Sequence, residues 1–74
     1  METITKDINT IGDVREAYKC LSKKDIINYA GFMGKLIFKV NLRTPKGKYL
    51  LIDYTFKSSY LYLEFKHYLR KLLN

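Results

Sequence analysis

The chain has 74 residues, with 14 Lys and Arg against seven Asp and Glu, for a formal net charge of +7. A chain of that length buries only about 60–65% of its unfolded surface, so the expectation is one small basic domain, 1–74, of marginal stability. The lone cysteine excludes an internal disulfide, and no apolar run approaches the roughly 20 residues that span a bilayer.

Cys20 therefore reads as a small buried apolar residue in a reducing compartment. Met1-Glu2-Thr3-Ile4 lacks the basic-then-apolar pattern of a secretion signal, which points to a cytoplasmic protein with no membrane partner. Lys outnumbers Arg eleven to three, and Ile and Tyr supply seven residues each, the skew of an AT-rich coding sequence. That bias can raise the lysine count without any anionic partner. It does not explain the charge distribution: residues 1–34 balance five cations with five acids, whereas residues 35–74 carry nine cations and two acids.

The first element in chain order is a helix from about Ile11 to Leu21, with Ile8, Ile11, Val14, Tyr18 and Leu21 on one apolar stripe. Thr10-Ile11-Gly12-Asp13 has the form of a capping box at its start. Ser22-Lys23-Lys24-Asp25 repeats that signal, and predicts a second short helix over about 23–30 with Ile26, Ile27 and Ala30 inward. Gly31 reads as its left-handed terminator.

Two strands are predicted next, at about 35–42 and 48–57. The even positions Leu36, Phe38, Val40 and Leu42, then Leu50, Ile52, Tyr54 and Phe56, form one apolar face. Pro45 suits the first central position of a type I turn, and Gly47 the left-handed residue of a G1 bulge. A three-residue loop pairs Thr44 with Lys48, so Leu42 meets Leu50, Val40 meets Ile52, Phe38 meets Tyr54 and Leu36 meets Phe56. Turn chemistry and hydrophobic pattern thus agree on one antiparallel hairpin. The outer face then sets Lys39 opposite Asp53, Arg43 beside Tyr49 and Lys35 opposite Lys57, with Ile37 and Leu51 among them.

Residues 58–74 fit a helix capped by Ser58 or Ser59, with Leu61, Phe65, Tyr68, Leu69 and Leu72 on one stripe. They also fit a third strand in which Leu61, Leu63 and Phe65 alternate with Tyr60, Tyr62 and Glu64. The helix is favoured, because Ser-Ser lacks the positive-φ residue that a two-residue hairpin turn needs. The expected fold class is α+β: two N-terminal helices, the hairpin and a C-terminal helix.

Catalytic signals are weak. The one histidine, His67, falls on the polar side of the last helix, Ser58 and Ser59 have no neighbouring base, and Cys20 with His67 would leave a metal two ligands short. The glycines make no phosphate-cradling loop. Neither catalytic residues nor a cofactor or metal are expected, although a small basic nuclease using His67, Lys and Tyr is conceivable.

The segment Ala17-Tyr18-Lys19-Cys20-Leu21-Ser22-Lys23-Lys24-Asp25-Ile26-Ile27-Asn28-Tyr29-Ala30 resembles the helix-turn-helix of winged helix-turn-helix DNA-binding domains. Ala17, Leu21, Ser22, Ile27 and Ala30 match that family's small, turn, cap and inward positions, over about fourteen residues; the usual turn glycine is missing. An ordinary helical hairpin packed on a sheet fits the same residues. The resemblance implies a recognition-like helix exposing Lys23, Lys24, Asn28 and Tyr29, with Lys46 and Lys48 at the tip of the wing.

The charge map suggests a second geometry, in which the hairpin's outer face supplies Lys35, Lys39, Arg43, Lys46, Lys48 and Lys57 to phosphates and Tyr49 to bases. On either geometry the expected function is non-catalytic binding of DNA or RNA. The alternative is protein contact. In general character the chain resembles small phage or mobile-element proteins, some of which inhibit a host enzyme or nucleic-acid-processing complex. Ile37, Leu51, Tyr60 and Leu63 lie off the predicted core and would anchor such an interface, or a homodimer.

Overall fold

Among residues 2–32 and 36–74, which the computed structural model describes, the chain forms four strands and two α-helices. They are β1 (Glu2–Ile8), α1 (Ile11–Lys19), β2 (Ile26–Phe32), β3 (Ile37–Arg43), β4 (Tyr49–Phe56) and α2 (Ser59–Leu73). A single 3-10 turn, Lys23–Asp25, precedes β2. The strands make one mixed sheet in the order β1-β4-β3-β2, with β1 parallel to β4 and the other neighbours antiparallel. Both helices cover the same sheet face, and among the described residues no helix or strand covers the opposite one.

The capping box forms at the start of α1. Asp13 N–H donates to Thr10 Oγ1 at 3.1 Å, while Asp13 Oδ2 accepts from the backbone N–H groups of Asn9 (2.9 Å) and Thr10 (3.1 Å). The Asn9 N–H contributes most to holding the Asp13 carboxyl below its usual 3.8. A lowered folded-state pKa means that this contact stabilises the fold above pH 3.8 and is lost as pH falls through the lower value. Thr10→Ala should cost about 1 kcal/mol in denaturant melts. Asp13→Asn should lack the acid-dependent loss of stability below about pH 4.

The hairpin has the register that its turn demands. Leu42 pairs with Leu50, Val40 with Ile52, Phe38 with Tyr54, Lys39 with Asp53 and Arg43 with Tyr49. Thr44 N–H donates to the Lys48 carbonyl at 2.8 Å, Gly47 N–H to the Thr44 carbonyl at 2.9 Å, and Gly47 takes φ +82. The β-carbon of any other residue would oppose that left-handed backbone. Beyond Ile37, the Phe56 N–H reaches the Leu36 carbonyl at 2.8 Å. The expected pairing of Lys35 with Lys57 lies outside the described residues.

The arrangement with two N-terminal helices is corrected. Ser22 makes no side-chain cap hydrogen bond, and the helical turn it was expected to start ends at Asp25. Residues 26–32 pair with β3 instead, Ile26 opposite Leu42 and Tyr29 opposite Val40, across an irregularity at residues 26–28. Ile26, Ile27 and Tyr29 are strand formers, and partners are available in β3, so sheet pairing wins over a weak cap. The first helix also stops earlier, at Lys19. A strand at residues 2–8 completes the sheet at its other edge. Thr3, Ile4, Thr5 and Ile8 are its β-branched signal, which Lys6 interrupts on the inner face.

Gly31 is therefore no helix terminator. In β2 it sits opposite Phe38, and a β-carbon there would meet the Tyr62 hydroxyl and lie 3.2 Å from the Phe38 ring. Gly31→Ala should destabilise by about 1–3 kcal/mol, the usual cost of overpacking. A thermal melt that matches wild type would show that Tyr62 moves aside freely.

The core lies between the inner sheet face and the helices. Phe38, Val40, Ile52, Tyr54 and Phe56 from the hairpin meet Val14 and Ala17 of α1 and Leu61, Tyr62, Phe65 and Leu69 of α2. Ser58 caps α2 through its Oγ, which accepts from Leu61 N–H at 3.4 Å. The helix, rather than the alternative third strand, puts Leu61 and Phe65 inward and leaves Leu63 59% exposed. Tyr18 and Tyr68 seal the helix pair, with ring centroids 5.3 Å apart.

Candidate nucleic-acid interface

The sheet register determines which cations share a surface. β2 begins at Ile26 opposite Leu42, and β4 begins at Tyr49 opposite Arg43. The turn carrying Lys23 and Lys24 and the hairpin turn carrying Lys46 and Lys48 consequently lie at the same end of the sheet. Arg43 stands between them, and all five side chains are exposed. Both helices start after strands that end at the far end, where Ile8 pairs with Phe56, and run back toward this one. Their last turns add Lys19, Arg70 and Lys71. Among the described residues, Glu2, opposite Leu50, Asp25 and, in the last turn of α1, Glu16 bring negative charge here.

This basic end differs from both predicted geometries. Lys23, Lys24, Asn28 and Tyr29 do not share a helix face, because residues 26–32 are a strand. Asn28 lies on the bare sheet face, where its Oδ1 accepts from Asn41 Nδ2 at 2.6 Å. Tyr29 projects to the other face and stacks on Phe38, with centroids 5.6 Å apart and planes at 13°. Yet Lys23 and Lys24 do join Lys46 and Lys48.

The predicted outer-face set is divided. Arg43, Lys46, Lys48 and Tyr49 belong to the basic end. Lys39 sits at mid-sheet beside Asp53, Nζ to Oδ2 3.5 Å. Lys57 follows β4 at the opposite end, and Lys35 lies outside the described residues. The middle of the bare face is not built for phosphate. Asn41 Oδ1 and Asp53 Oδ1 are buried acceptors without a partner among the described residues, and both would repel an anion. Thr55 and Asp7 close the face toward β1, with Thr55 Oγ1 donating to Asp7 Oδ1 at 2.6 Å.

Arg43 and Tyr49 form a preset pair. The guanidinium donates to the Tyr49 hydroxyl at 3.1 Å and lies 5.4 Å from its ring centroid. Arg43 keeps its charge in this contact, and the half-exposed Tyr49 ring offers a flat face beside it.

The remaining candidate groups do not converge. His67 is exposed on α2, and Ser58 serves as a helix cap. Cys20 is exposed rather than buried, because α1 ends just before it. No group of His, Cys, Asp and Glu that could hold a metal occurs among the described residues. Nor, among them, is any helix long and apolar enough to cross a membrane. Lys19 was missed by sequence reasoning, since its place depends on residues 2–8 being a strand paired with β4, from whose far end α1 runs back. No family model, curated protein or solved structure matches the chain.

Proposed function

We propose that this protein is a non-catalytic nucleic-acid-binding protein that grips the phosphate backbone with its basic end. The observation that carries the reading is the placement of Lys23, Lys24, Arg43, Lys46 and Lys48 around one end of the sheet, distant in sequence and sparsely opposed by acids. Phosphate contacts from that end set orientation, and the Arg43–Tyr49 pair favours an unpaired base stacked at the margin. Five neutralised phosphates predict that log K falls with log salt at a slope of about −3.5 on single strands and −4.5 on duplex DNA. Titrating salt against single- and double-stranded DNA and RNA tests this. Absent binding at low salt, or a flat salt dependence, rejects it.

A second reading is inhibition of a nucleic-acid-processing complex by protein contact. Tyr60 and Leu63, 60% and 59% exposed and three residues apart on α2, favour it. It predicts a monomer by light scattering whose weak nucleic-acid binding is insensitive to salt.

A further inference from the structure

A cavity of about 440 Å³ opens between α1 and the β1–β4 side of the sheet. That volume lies in the range that holds a small organic ligand. It exists because α1 is only nine residues long and packs chiefly on α2, leaving Ile4, Leu42 and Leu50 of the inner sheet face half-covered.

The wall is mainly apolar, with a polar group at depth. Tyr54 lines the cavity, is 1% exposed, and makes no hydrogen bond among the described residues. A buried hydroxyl normally has a partner. Burial pushes this phenol up to about 12, with Cys20 on the same wall adding to the effect. It therefore stays protonated and can both donate and accept. Two acids of α1, Asp13 and Glu16, stand along the lining with Lys6 the cation beside them; Asp7 also borders it, but its carboxylate is turned to the opposite sheet face, where it accepts from Thr55 Oγ1. On a protein of charge +7, this is a place where a cation is favoured.

We propose that the cavity binds a small amine with an apolar body and a hydrogen-bonding group at its far end. The ammonium sits beside Glu16 and Asp13, the body lies against the sheet, and the far group meets the Tyr54 hydroxyl. The lining shares no residue with the basic end, although Leu42 and Leu50 adjoin Arg43 and Tyr49, and its test reads amine binding without any nucleic acid present.

Amide NMR titrations of the full chain with tyramine, phenethylamine and hydroxyphenylpropionate test each feature. Tyramine should give saturable shifts at Ala17, Cys20 and Leu21. Hydroxyphenylpropionate, with the charge reversed, should bind about tenfold more weakly or worse. Phenethylamine, lacking the hydroxyl, should fall several-fold below tyramine, and Tyr54→Phe should erase that difference. Glu16→Lys, at an exposed position, should weaken tyramine and strengthen the carboxylate. Absence of saturable tyramine shifts at these residues overturns the proposal. So does equal binding of the three compounds to the wild-type chain, a comparison that needs no variant to fold.

Discussion

Phe65→Ala is expected to remove most of the protein's stability, whereas Leu63→Ala, two residues earlier on the same helix, should leave it nearly unchanged. Phe65 is 1% exposed and stands at the centre of the aromatic core. Its ring lies 5.3 Å from Phe38, 4.7 Å from Tyr54 and 5.4 Å from Phe56. Truncating a buried Phe costs about 3–5 kcal/mol, because both transfer energy and the contacts of the vacated space are lost. A chain of this length has about 4–11 kcal/mol in total. The midpoint should fall by about 12–40 °C, at roughly 4–8 °C per kcal/mol for so small a domain. Leu63 faces solvent, where a change to Ala stays within about 0.5 kcal/mol. Melts followed by circular dichroism decide the matter. Equal losses from the two substitutions would mean that Leu63 and Phe65 share a buried face, as they would in a strand.

That contrast also shows where the sequence is legible. The hairpin is readable because two unrelated signals agree: Pro45 and Gly47 set the turn, and the even-numbered apolar residues set the face. Thr10 and Asp13 mark the start of α1, and the lack of a turn residue at Ser58-Ser59 favours a helix over a strand. The edge strands are different. β1 buries one residue fully, Ile8, so its alternation is faint, and its partner β4 lies some fifty residues along the chain. In β2, Ile26, Ile27 and Ala30 fit a helical stripe as well as a strand, and Ser22 with Asp25 imitates a cap. What decides β2 is the open edge of β3, which no local pattern contains. The candidate site inherits this limit. Lys23 and Lys24 meet Lys46 and Lys48 only once β2 pairs with Leu42 at one end, so the charge excess of residues 35–74 becomes a pole that draws on both halves.

Neutralising Lys46 and Lys48 together, as Lys46→Gln and Lys48→Gln, should weaken duplex binding by about 60-fold at 0.1 M salt. Each phosphate contact contributes about 0.9 to the salt slope, so each lost contact costs about eightfold there and the slope should shrink by nearly 2. Lys23→Gln with Lys24→Gln should do the same. Those residues lie more than twenty positions earlier in the chain, and it is the β2–β3 pairing that brings them to the same end. Lys57→Gln should change affinity by about twofold or less, because Lys57 follows β4 at the far end and contributes only screened, long-range charge. All five lysines are exposed, so folding should survive each change, and a matching melt confirms it. The pattern separates a site from a bath of charge. If Lys57→Gln costs as much per residue as the others, binding follows net charge alone and no end of the sheet is special. If Lys46 and Lys48 matter while Lys23 and Lys24 do not, the hairpin tip acts by itself, and the turn before β2 lies outside the contact.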